Sequence, residues 1–161
     1  VSAPLRILYV AAGIPAPGTV GGSTHVVEVA AGLARRGHQV VAIAGRAAAP
    51  LPADWPAGAR IVNVPLPKAL ALATLPVIWW VARALRPDVV IERYYNWAGA
   101  GLLWARWRRR PALLEVNAPL WDPPGSPKDR LDRLLPGGPL RRWAVWQARA
   151  AGRLVAPLPA A

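Results

Sequence analysis

The sequence predicts an α/β fold built on one Rossmann-like, doubly wound parallel sheet, and three observations carry that expectation. Short apolar runs without helical spacing recur about six times along the chain, stretches with apolar residues at helical spacing lie between them, and Gly and Pro mark most of the boundaries. With 161 residues there is room for one domain with a real core, and 54% hydrophobic against 17% charged residues is a folding composition.

The first run, Arg6-Ile7-Leu8-Tyr9-Val10-Ala11, suits a strand covered on both faces. A loop over residues 12–22, dense in Gly and Pro, ends on the pair Gly21-Gly22, and Ser23 offers a hydroxyl to cap the helix that follows. In that helix Val26, Val29, Ala30, Leu33 and Ala34 form one stripe, and Gly37 is a fitting left-handed stop. Residues 39–43 return as a strand, which completes a βαβ unit with a parallel crossover. A proline-rich loop carrying Trp55 leads to a third strand at 60–64, stopped by Pro65 and Pro67.

Residues 69–82 are uncharged and mostly apolar. They fall short of the roughly 20 residues that span a bilayer, and Pro76 interrupts them. A buried helix is the simpler reading. A helix lying in a membrane interface, with Trp79, Trp80, Arg83 and Arg86 at the headgroups, is the alternative.

After the turn at Arg86-Pro87-Asp88, Val89-Val90-Ile91 forms a fourth strand, ending on Glu92-Arg93-Tyr94. Trp97, Ala100, Gly101, Trp104 and Ala105 give the next helical stripe, followed by Arg106, Arg108, Arg109 and Arg110, which read either as a solvated helix cap or as an anion site. Residues 112–116 are a fifth strand, 128–135 and 140–151 are two helical pieces, and 153–156 begin a sixth strand.

Composition narrows the function. Without cysteine there is no disulfide, thiol catalysis or thiolate metal site, and two separate histidines leave no zinc site, so neither metal nor cofactor is expected. A net charge of +12 attracts anionic partners of several classes. Nucleic acid is not the expected one, because the basic residues are scattered and no recognised motif accompanies them. The N-terminal residues read as the first strand rather than a signal peptide, which points to the cytoplasm, with the inner membrane face as a peripheral location.

In a parallel sheet ligands gather at the carboxyl ends of strands, and three such ends stand out: Gly21-Gly22, Glu92-Arg93-Tyr94 and Glu115-Val116-Asn117. Paired glycines before a helix either let backbone amides approach an anion or make a tight turn. Neither a dinucleotide fingerprint nor a P-loop is present.

Arg6-Ile7-Leu8-Tyr9-Val10, Gly21-Gly22-Ser23-Thr24-His25-Val26, Ala34-Arg35-Arg36-Gly37-His38-Gln39-Val40, Arg86-Pro87-Asp88-Val89-Val90-Ile91-Glu92-Arg93-Tyr94 and Leu114-Glu115-Val116-Asn117-Ala118-Pro119-Leu120 occur in this order. Together they resemble the N-terminal, acceptor-side domain of GT-B glycosyltransferases of family 4, over residues 1–156, with 157–161 as a short tail. The resemblance implies transfer of a sugar from a nucleotide-sugar donor to an acceptor, with Gly21 and Gly22 approaching the donor diphosphate. It places Asn117 where many relatives carry a histidine facing the donor sugar; an amide there can hydrogen-bond without exchanging a proton near neutral pH. His25, Glu92, Arg93 and Tyr94 are the other expected substrate contacts, although a surface histidine and a local Glu92-Arg93 ion pair are simpler readings. Nothing after Ala151 resembles the family's donor-binding domain, so the expectation is a half enzyme whose partner domain is missing or lies in another chain. The alternative is a non-catalytic basic module that meets an anionic membrane or a partner protein.

Overall fold

The computed structural model describes residues 3–117 and 124–156; residues 118–120 of the resemblance and the tail at 157–161 lie outside the described residues. Strands β1 (Arg6–Pro15), β2 (Gln39–Gly45), β3 (Ala59–Asn63), β4 (Val89–Arg93), β5 (Ala112–Glu115) and β6 (Arg153–Val155) form one sheet in the order β3-β2-β1-β4-β5-β6. Every pairing is parallel. The direction of winding reverses between β1 and β4, and the crevice at their carboxyl ends is where such sheets hold ligands.

The period-two alternation of side chains sorts the core into two layers. Ile7, Tyr9 and Ala11 of β1 face helix α1 (Gly21–Arg35), where Val26, Val27 and Ala30 pack on them. Leu8 and Val10 face the other way. They belong to the layer formed with Ile78, Val81, Ala82 and Leu85 of helix α2 (Leu75–Leu85), Leu102 and Trp104 of helix α3 (Ala100–Trp107), and Ala144 of helix α5 (Pro139–Ala150). Helix α4 (Pro127–Leu134) is capped by the Ser126 hydroxyl, which accepts from the Asp129 amide.

Two local expectations are corrected. Helix α1 begins at Gly21 with Val20 as its N-cap and no side-chain cap, so Ser23 lies inside the first turn; its buried hydroxyl sits beneath Gly18, where a Cβ would come within 2.8 Å of it. The apolar stretch 69–82 is also more than one short helix: Lys68–Thr74 forms a 3-10 segment that runs into α2, with Pro76 in the first turn, where its missing amide costs nothing. Together Lys68–Leu85 reaches 18 residues, the one helix among the described residues long and apolar enough to cross a membrane. Its inner face is committed to the sheet, while Trp79 and Trp80 are 41% and 65% exposed.

Candidate functional site

The site is assembled around Glu115, the last residue of β5, on the face covered by α1. Its carboxylate accepts from the Tyr9 hydroxyl at 2.7 Å and from the Asn117 side-chain amide at 2.6 Å, and it contacts His25 Nε2 from α1. Burial alone would favour the neutral acid. The bonds from Asn117 and Tyr9, with the His25 contact, outweigh it and hold Glu115 below the usual carboxylate range. Tyr9 moves the other way: burial first, and the neighbouring Glu115 charge second, push its phenol far up, so it stays a neutral donor.

Arg93 extends from the end of β4 into the same space. Its guanidinium donates to the Gly22 carbonyl at 3.3 Å and also reaches the Tyr9 hydroxyl. Gly21 and Gly22 are the first two residues of α1, whose opening amides have no acceptor within the helix and whose dipole favours negative charge. The tight-turn reading of this pair is therefore replaced by a helix start. Neither glycine has a positive φ, and a Cβ at Gly21 meets nothing within 4 Å, while one at Gly22 would touch Ile14 and Arg93 only at 3.7 and 3.9 Å. Packing and backbone strain thus place no demand for glycine at either position.

Glu92 and Tyr94 stand elsewhere. Strand alternation turns them to the opposite face from Arg93, so the expected Glu92-Arg93 ion pair is not formed and the two residues do not line one tip. Glu92 is fully buried and accepts from the amides of Gly99 at 2.9 Å, Gly101 at 2.7 Å and Leu102. It is the acceptor for the first turn of α3. Burial raises its pKa to about 7, against the pull of those three amides. Tyr94 is packed in the core of the same layer. His38 accepts from the Leu5 amide at 3.2 Å and ties α1 to the start of the sheet.

The structure therefore brings together Gly21, Gly22, His25, Arg93 and Asn117, and adds Glu115 and Tyr9. The signal for Glu115 was a carboxylate closing an otherwise apolar strand; Tyr9, inside an apolar run, gave none. Among the described residues no cluster could hold a metal ion.

Residues 20–161 match the family described as glycosyl transferase 4-like domain. The chain belongs to that family. As a glycosyl transferase 4-like domain it is the N-terminal half of a GT-B fold, and solved structures agree on the architecture. MurG of Acinetobacter baumannii is similar at TM-score 0.55 and 16% identity, covering 95% of this chain and 41% of its own. The glycosyltransferase SnogD of Streptomyces nogalater gives 0.51 and 20%, covering 96% and 45%. UGT2 of Phytolacca americana, solved with UDP-2-fluoro-glucose and pterostilbene, gives 0.52 and 17%, covering 74% and 32%. The chain thus spans less than half the length of these glycosyltransferases. A search of curated protein sequences finds no match.

Proposed function

We propose that this domain forms the acceptor-side wall of a sugar-transfer site and works with a donor-binding domain supplied by further chain or by a partner. The observation that carries the reading is the meeting of the α1 N-terminus, Arg93 and the Glu115-His25-Asn117 group at the carboxyl ends of β1, β4 and β5. The diphosphate of a nucleotide-sugar donor fits the amides of Gly21 and Gly22, where helix dipole and guanidinium both favour negative charge. The amide of Asn117 hydrogen-bonds a sugar hydroxyl without exchanging a proton. His25, held through Nε2 by Glu115, keeps Nδ1 for a ligand, so proton movement at an acceptor hydroxyl falls to the imidazole on α1 rather than to the strand end. The domain alone supplies half of the positioning that makes such a transfer fast.

Gly22→Ala tests the reading. Alanine is the better helix former by about 0.5–1 kcal/mol, so thermal stability is unchanged or higher. Binding of a nucleoside diphosphate, measured by calorimetry on the domain or with its donor-binding partner, weakens about tenfold because one amide contact is pushed back. Unaltered binding would remove the glycine pair from the site.

The second reading, a basic module on an anionic membrane, is favoured by the exposure of Trp79, Trp80 and Trp107 together with Leu70 and Leu72. Sedimentation with neutral and anionic vesicles tests it: binding that needs anionic lipid and weakens in Trp80→Ala supports it, and no sedimentation with either rejects it.

A further inference from the structure

The amino-terminal end of the sheet carries a second charged cleft, far from the Glu115 group along the strands. It lies between the C-terminal ends of α2 and α3, has a volume of about 390 Å³, and is walled by Trp79 and Trp104 with Pro87 behind them. That volume lies within the ~300–1,000 Å³ of small-molecule clefts. Arg83 and Arg86 enter it from α2, and Arg108 and Arg110 from the end of α3. Trp79 and Trp107 close the gap between the helices, their ring centroids 4.2 Å apart.

The four guanidinium groups around the cleft are all exposed, and that of Arg108 lies over the Trp107 ring, 5.5 Å from its centroid. Among the described residues none of the four forms an ion pair with a carboxylate. Asp88 is the nearby acid, and its charge senses Arg110, but it is taken by Arg6. Arg6 donates to Asp88 from its backbone amide at 2.9 Å and from its guanidinium at 3.1 and 2.7 Å. Basic residues at a helix C-terminus are ordinarily explained by the helix dipole, and each helix alone would satisfy that account. All four are exposed, yet they stand at the ends of two neighbouring helices around one cleft, where their fields add.

We propose that this cleft binds a phosphoryl group, held by the forked donors of Arg83, Arg86, Arg108 and Arg110 with the flanking part of the ligand against the Trp79 and Trp104 rings. Guanidinium groups match phosphate oxygens two at a time, and indole faces accept either a cation or an apolar chain beside it. The chemistry is shared by a soluble diphosphate and by the headgroup of an anionic phospholipid. The site stands independently of the sugar-transfer reading, because none of its residues takes part in the Gly22-Arg93-Glu115 group.

The test is titration of the full chain with inorganic pyrophosphate, followed by NMR of the indole N–H signals of Trp79 and Trp104. Parallel sedimentation uses vesicles of phosphatidylcholine alone and of phosphatidylcholine with phosphatidylglycerol. The expected result is movement of both indole signals, and binding weakened at least about tenfold in Arg83→Glu/Arg108→Glu, which removes one fork from each helix. Arg36→Glu/Arg149→Glu makes the same change in net charge away from the cleft and should alter affinity by less than about twofold, since its charges are screened from the site. If anionic vesicles but not pyrophosphate bind, with the same dependence on the variants, the ligand is the lipid headgroup and the site stands. If the two double variants weaken binding equally, or if neither probe moves the indole signals of the unaltered chain, the proposal is overturned. The last reading needs no variant and decides the matter even if the substituted chains fold poorly.

Discussion

Glu92→Ala lowers the stability of the folded domain by about 3 kcal/mol or more in mild acid, and by clearly less above neutrality. The loss comes from the amides of Gly99, Gly101 and Leu102, buried donors left without an acceptor at roughly 1–3 kcal/mol each. The start of α3 lies close against the sheet, where a Cβ at Gly101 would come 2.8 Å from Val10 Cγ2 and 3.2 Å from Val90 Cγ1. The pH dependence follows from the raised pKa of about 7 against 4.5 in the free residue. Between those values the unfolded chain has released the proton and the folded chain has kept it. Stability therefore falls as pH rises through this window and levels off above about 7, a change of ~3 kcal/mol at about 1.4 kcal/mol per pH unit. The variant has no such group, so its profile is flatter there and the gap between the two proteins is widest near pH 4.5. Denaturant titrations of both proteins across pH 4–8 measure this. A variant as stable as the parent, with a parallel profile, would show that Glu92 does not hold α3.

Glu115→Ala has the largest expected effect on function. It removes the acceptor shared by Tyr9, Asn117 and His25, so the imidazole and the amide lose the group that fixes them. A displacement of about 1 Å at a reacting centre can cost on the order of 100-fold in rate, and that is the loss expected in sugar transfer once the donor-binding domain is present. The buried Tyr9 hydroxyl keeps Arg93 as a donor but loses the acceptor for its own proton, which costs a further ~1–3 kcal/mol of stability. Glu115→Gln separates the two effects: its carbonyl oxygen still accepts from Tyr9, so most stability returns, while the negative charge beside His25 does not. Because the Glu115 pKa is lowered, its contribution is complete above about pH 4.5 and is lost as pH falls through the folded value. The two buried carboxyls thus act with opposite sign, Glu92 from pH 4.5 upward and Glu115 below it. Transfer assays and melts of the two Glu115 variants are the check; full activity in Glu115→Ala would remove the cluster from the mechanism.

The sheet was legible because each strand and helix carried its own period and its own stop. Gly37 ends α1 with φ +89°, and the helices expected at 128–135 and 140–151 occur at Pro127–Leu134 and Pro139–Ala150. The site was legible only as three strand ends. Which side chains meet there depends on facing, and adjacent residues at the end of a strand still alternate: Arg93 reaches α1 while Glu92 turns under α3. Ser23 looked like a cap because hydroxyls favour that place, but the N-cap is Val20, three residues earlier, at the end of the loop that follows β1. Tyr9 could not be found from its neighbours, since its importance comes from a carboxylate 106 residues away.

The most direct test of the central claim is an NMR titration of the uniformly 15N-labelled domain with UDP, GDP and ADP in turn. The account predicts that at least one of them shifts the backbone amides of Gly21, Gly22 and Ser23 together with the Arg93 side chain, and that Gly22→Ala weakens the response. Amides of the α1 N-terminus that stay in place while every nucleotide is driven to high concentration would contradict it, whatever the indole signals at the other end of the sheet report.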